Sequence, residues 1–121
     1  MYKAFKSRPL QVWMWNEPSD TELAKLPRIY ASDHVPLEEV VIHQHFFLGG
    51  SDWYMAEYDP RDRLFFGYAI LNNDLVNAEW GYTSYDELRG INLRGLEVDR
   101  DLHWKRTRVR DIERIRTAYE K

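Results

Sequence analysis

His43 and His45, in the stretch VVIHQHFFLGG at residues 40–50, come nearest in type and spacing to catalytic chemistry. On an extended strand, residues i and i+2 point to the same side, so both imidazoles would face one metal ion. Such a centre needs at least one further ligand, and His34, His103, Glu57 and Asp59 are the candidates. A complete set would make the chain a metal-dependent hydrolase. Two histidines at this spacing are a weak motif, because any small protein offers loose acids. The preferred reading leaves both rings on the solvent side or the sheet edge.

The carboxylates suggest less. Asp59 and Asp62 sit in the DPRD turn, where Asp is favoured for local backbone hydrogen bonds. Asp99 and Asp101 flank Arg100, and a paired-carboxylate hydrolase would need the two acids in a cleft with their proton affinities driven apart. A salt-bridged strand end is the simpler reading, with Arg100 pinned to Glu57 or Asp86. Ser19 and Ser84 each precede a Glu by three residues, which is capping-box spacing and explains both serines. The sequence contains no nucleophile elbow, no P-loop and no Gly-rich dinucleotide fingerprint. There is no Cys, so thiol nucleophiles, thiolate zinc sites and disulfides are all excluded. No cofactor is expected, and the chain reads as non-enzymatic.

Binding chemistry is better represented. Five Trp, eight Tyr and five Phe make up 15% of the 121 residues. Trp13, Trp15, Trp53, Trp80 and Tyr82 are the expected partner-binding residues, since Trp and Tyr anchor protein interfaces. A nucleic-acid platform would want Lys and Arg between the rings, and they are absent there. The net charge of −3 also opposes a general nucleic-acid role, although it is uneven: −7 over residues 1–104 and +4 over residues 105–121. Lys105, Arg106, Arg108, Arg110, Arg114 and Arg116 form the one plausible phosphate-binding stripe and carry the alternative function, a nucleic-acid binder. Asp111 and Glu113 interrupt that stripe.

The elements that must hold these residues follow from periodicity. Residues 40–48, 53–58, 63–71 and 78–83 read as strands separated by GGSD, DPRD and NNDLVN, and such short breaks favour an antiparallel meander. In the second strand Tyr54, Ala56 and Tyr58 should share one face, and Trp53, Met55 and Glu57 the other. The third strand is apolar on both faces, so it should be central, with Gly67 allowing another backbone to approach. Residues 18–27 and 83–90 read as short helices, 96–104 as a further strand at most. Val109, Ile112, Ile115 and Tyr119 form the stripe of a final amphipathic helix. The expected fold class is α+β, a four- to five-stranded antiparallel meander with short flanking helices and a C-terminal amphipathic helix. Residues 1–121 are taken as a single domain, with 1–17 as an N-terminal arm or edge strand, 21–104 as the core and 105–121 as the basic helix. No window is apolar enough for a membrane span, so a cytoplasmic location is expected.

Four ordered phrases, LAKLPRIYASDHVPLEE, DWYMAEYDPRDRLFFGYAI, EWGYTSYDELRG and LEVDRDLHW, resemble the bacterial domain-of-unknown-function family 2958 over residues 21–104. The resemblance implies a small cytosolic protein of plasmids, integrative elements or phages, acting in transfer or against host defence. With the aromatic residues it gives the favoured expectation: a protein-binding accessory factor of a mobile genetic element, with anti-CRISPR or anti-restriction inhibition as its specific form.

Overall fold

The computed structural model describes residues 16–93 and 95–120. Its elements run α1 (Asp20–Leu23), β1 (Val41–Ile42), β2 (Gln44–Leu48), β3 (Ser51–Asp59), β4 (Leu64–Ile70), β5 (Glu79–Ser84), α2 (Tyr85–Arg89), β6 (Asn92–Leu93), β7 (Leu96–Glu97), β8 (Asp99–Arg100), β9 (Thr107–Arg108) and α3 (Glu113–Tyr119). Turns of 3-10 helix at Leu37–Glu39 and Val109–Asp111 precede β1 and α3.

Five strands form one antiparallel sheet in the order β5-β4-β3-β2-β8. The first four are the meander expected from the short turns, and β8 returns to lie beside β2. This is an α+β fold, as the sequence led us to expect. The stretch 40–48 is not one strand. It pairs with β9 at Val41 and Ile42, breaks at His43, and pairs with β8 at Phe46 and Phe47. The likewise expected strand at 96–104 divides into β7, which pairs with β6, and β8.

The register of β3 on β4 shifts between Met55 and Glu57, leaving Ala56 as the extra residue of a bulge. The bulge overturns the simple alternation expected of β3. Glu57 joins the face of Tyr54 and Ala56, and Tyr58 joins that of Trp53 and Met55. Gly67 sits opposite the bulge, where β3 comes too close for any side chain.

Both sheet faces are covered, which is why β4 and residues 53–56 of β3 are apolar on both sides. On one face Phe46, Trp53, Met55, Tyr58 and Phe65 pack against Leu23 and Leu26 near α1, Tyr85 and Leu88 of α2, and Val98. On the other, Ile42, Tyr54, Ala56, Tyr68 and Ile70 pack against Val40, Val109, Ile112, Ile115 and Ala118. The two flanking helices are brief and held by their caps. Ser19 and Glu22 form a reciprocal capping box, and Ser84 Oγ accepts from the Glu87 N–H.

The C-terminal segment differs from one continuous helix. Ile112 is extended (φ −103°, ψ 106°), and α3 begins only at Glu113. The spacing of three at Val109, Ile112 and Ile115 buries all three through a 3-10 turn followed by a helix, and Ala118 takes the inward place expected for Tyr119. No helix among the described residues is long and apolar enough to cross a membrane.

Candidate functional site

The two histidines of β1–β2 have different surroundings. His45 is clamped: Nε2 lies 2.7 Å from Asp52 Oδ1, and Nδ1 lies 3.2 Å from Asp101 Oδ2. Its ring stacks on Tyr54 at 4.7 Å and 6°, with Trp104 at 5.2 Å. Arg114 Nε approaches Asp52 Oδ2 at 3.0 Å without being aimed at it, a close ion pair rather than a hydrogen bond. The chain Asp101–His45–Asp52–Arg114 therefore ties the loop after β8, strands β2 and β3, and α3 together. Burial, with the Asp52 charge beside it, pushes the Tyr54 phenol up to about 12. With both ring nitrogens engaged, His45 has no lone pair directed at an open cavity.

His43 faces a polar hollow of about 190 Å3, lined also by Glu22, Gln44, Arg100, Asp101 and Trp104. Burial, helped by the Arg106 charge, holds its imidazole below the ordinary 6.5. Arg100 does not reach the acids expected for it. Its Nη1 pairs with Glu22 at 3.1 Å, while Asp86 pairs with Arg63 and Glu57 turns to backbone donors. Asp99 accepts from Asn16, and Asp101 is held by His45 and the His103 N–H, so the two acids are engaged separately. Among the described residues no three His, Asp or Glu side chains gather as a metal-holding group.

The aromatic residues converge elsewhere. Trp80 and Tyr82 alternate along β5, and Phe66 of β4 stands opposite Tyr82. Phe66 stacks on Trp80 at 5.7 Å and meets Tyr82 at 5.2 Å. Between them and the segment 30–40 lies a recess of about 160 Å3, lined by Tyr30, Ser32, Asp33, Val35, Leu37, Val40, Glu57, Phe66, Trp80 and Tyr82. Tyr30, Leu37 and Tyr82 are 68%, 49% and 52% exposed. The Trp80 indole N–H donates to the Tyr119 hydroxyl at 2.7 Å, which extends the apolar surface to the end of α3. β5 is also an edge strand, and its outer side pairs with no strand among the described residues.

Glu57 builds this wall. It is 4% exposed, and its carboxylate accepts from the Tyr30 N–H at 3.0 Å, the Ser32 N–H at 2.8 Å and the Ser32 hydroxyl. These bonds hold Tyr30 at φ +75°, a conformation disfavoured for a bulky residue, with its ring at the mouth of the recess.

Of the five residues expected to bind a partner, Trp80 and Tyr82 lie on this surface. Trp53 is 6% exposed and belongs to the core under α1 and α2, so it is no surface anchor. Trp13 and Trp15 lie outside the described residues. Tyr30, Leu37, Glu57 and Phe66 were missed, and the cross-strand alignment of Phe66 with Tyr82 was the one signal for them. Half of the basic stripe is paired with acids within the fold. Arg108 and Arg110 both pair with Glu39, at 3.5 and 2.8 Å, and Arg114 with Asp52. Arg116 donates to the Arg110 carbonyl, while Lys105 and Arg106 are exposed.

Sheet, caps and recess define a small α+β protein with an open aromatic edge. The chain belongs to the family of proteins of unknown function DUF2958, whose model matches residues 20–116. The match reaches past the span 21–104 over which the phrases showed it and takes in most of the basic segment. No curated protein and no solved structure matches the chain.

Proposed function

We propose that this chain is a non-enzymatic protein-binding factor whose contact surface is the aromatic edge at β5. The observation that carries the reading is the continuous exposed patch of Tyr30, Leu37 and Tyr82 around half-buried Phe66 and Trp80. Rings left partly in water beside an unpaired strand edge are costly to solubility unless a partner covers them. Each large ring that becomes fully covered removes on the order of 100 Å2 of apolar surface from water, so a few suffice to anchor a complex. The family resemblance adds the biological setting proposed here: an accessory factor of a mobile genetic element, acting on a host defence complex. Trp13 and Trp15 are proposed as additional contacts.

Affinity capture from the native host, compared with Leu37→Ala and Tyr82→Ala variants of confirmed fold, tests the reading. Each variant should weaken capture of the same partner about tenfold or more, the usual cost of losing an interface anchor. Undiminished capture by both variants rejects the surface. Trp13→Ala and Trp15→Ala should weaken capture without loss of folding.

A further inference from the structure

We infer that the recess beside β5 is a binding site for an organic cation, a guanidinium or alkylammonium group presented to its aromatic wall. This rests on the aromatic edge being a contact surface, and gives its chemical preference.

Two independent features point the same way. The first is composition. Four aromatic side chains, Tyr30, Phe66, Trp80 and Tyr82, line the recess together with two carboxylates, Asp33 and Glu57, and none of its lining residues is Lys, Arg or His. Aromatic faces attract cations through their quadrupole, and guanidinium or quaternary ammonium groups are the cations that lose least on leaving water. The second feature is the state of Glu57. A buried carboxylate is ordinarily matched by a cation or neutralised. Glu57 receives three hydrogen-bond donors, one on Oε1 and two on Oε2, and none of them brings a formal charge. None of the described lysines or arginines lies within 4.0 Å of it or of Asp33. Among the described residues, the two acids of the recess thus stand beneath aromatic rings with no Lys or Arg partner in contact. The Tyr82 hydroxyl is pushed up first by the neighbouring Tyr30 hydroxyl, then by loss of solvent, and least by Glu57 and Asp33. The adjoining hollow beyond Tyr30 and Tyr82 is different in kind, since there Arg28 and Arg61 stand with Asp59 and Asp62.

A space of about 160 Å3 open on one side accepts a guanidinium or a trimethylammonium with its stem leading out to solvent. The cation could arrive on a partner's Arg or Lys side chain, or as a free alkylammonium. Chemistry at the recess is the same for both sources.

The test uses the full chain and follows the ring and amide NMR signals of Trp80 and Tyr82. Choline and guanidinium are titrated against dimethylbutanol, the neutral carbon isostere of choline. In a second arm, flexible peptides carry one arginine, lysine or trimethyllysine, with norleucine in the control. Cations should perturb the recess signals and bind about tenfold or more tightly than the neutral isosteres. Asp33→Asn, at an exposed position, should weaken the cation several-fold and leave the neutral isostere unchanged. Tighter binding of the peptides than of choline assigns the cation to a partner's side chain, and the reverse assigns it to a free alkylammonium. Equal affinity for the neutral isosteres, or no response to any cation, overturns the inference. Partner capture that depends on Tyr82 but ignores Asp33 would leave the protein-binding surface standing and reject its cation preference. Cation selectivity without any captured partner would do the opposite.

Discussion

A Cβ atom placed on Gly67 would lie 2.1 Å from the carbonyl oxygen of Tyr54 and 2.9 Å from the Met55 Cα. Both obstacles are backbone of the central strand, so neither can swing aside. Gly67→Ala should therefore destabilise the fold by about 2–3 kcal/mol, the upper range for forced overpacking. Urea unfolding measures it. A change below the error of the fit would mean that the bulge at Ala56 does not bring the strands together as described.

The clamped histidine lies on β2, which pairs with the other side of β3. Replacing His45 with Ala leaves the Asp52 and Asp101 carboxylates each short of one donor and removes a ring stacked on Tyr54. A loss of about 1–3 kcal/mol follows from leaving partly buried acceptors unsatisfied. A cycle with Asp101→Asn should show coupling, because the two residues share one bond. Elemental analysis of the purified chain runs alongside. Bound metal that disappears in the His45→Ala variant would restore the hydrolase reading.

His43 sets a pH dependence of known sign. Its folded value lies below the ordinary 6.5, first through burial and then through Arg106. The unfolded chain therefore binds the proton more readily, and protonation favours unfolding. The contribution is absent above pH 6.5 and grows as pH falls through that value toward the folded one. Stability measured from neutral to mildly acidic pH should fall less steeply in His43→Gln than in the parent. Arg106→Ala should also shallow the fall. Parallel curves for parent and His43→Gln would show that His43 titrates alike in both states.

Compensated arginines make poor phosphate ligands. Arg108 and Arg110 share Glu39, and Arg114 faces Asp52. Binding to duplex DNA or RNA should be weak, and the combined Arg106→Ala, Arg108→Ala and Arg110→Ala variant should lose little of it. Steep salt dependence, reduced in that variant, would instead make the basic segment a nucleic-acid surface. Glu39→Gln removes a half-exposed partner and should cost less than about 1 kcal/mol by thermal unfolding.

The meander was legible because turn chemistry and apolar alternation agree along β2–β5. Both caps were legible because Ser19 and Ser84 precede their Glu residues at the spacing the cap requires. The bulge was not, because one extra alanine leaves no mark in an apolar strand, and it alone reversed the faces of Glu57 and Tyr58. The start of α3 was hidden for another reason. Apolar residues at 109, 112 and 115 fit a helix and a 3-10 turn equally, and only the extended Ile112 separates them. The recess was half legible. Trp80 and Tyr82 stand out by type, but Tyr30, Asp33 and Leu37 come from a loop whose path depends on a carboxylate donated by the bulged strand.

Site-specific photo-crosslinking in the cell that makes the protein tests the proposed surface most directly. A photoreactive residue at position 82 or 37 should give a discrete adduct with one and the same partner, and a probe at exposed Lys25 or Thr117 should give none. Adducts arising only from the basic segment, or none from positions 82 and 37, would contradict the aromatic edge as the place where this chain meets its partner.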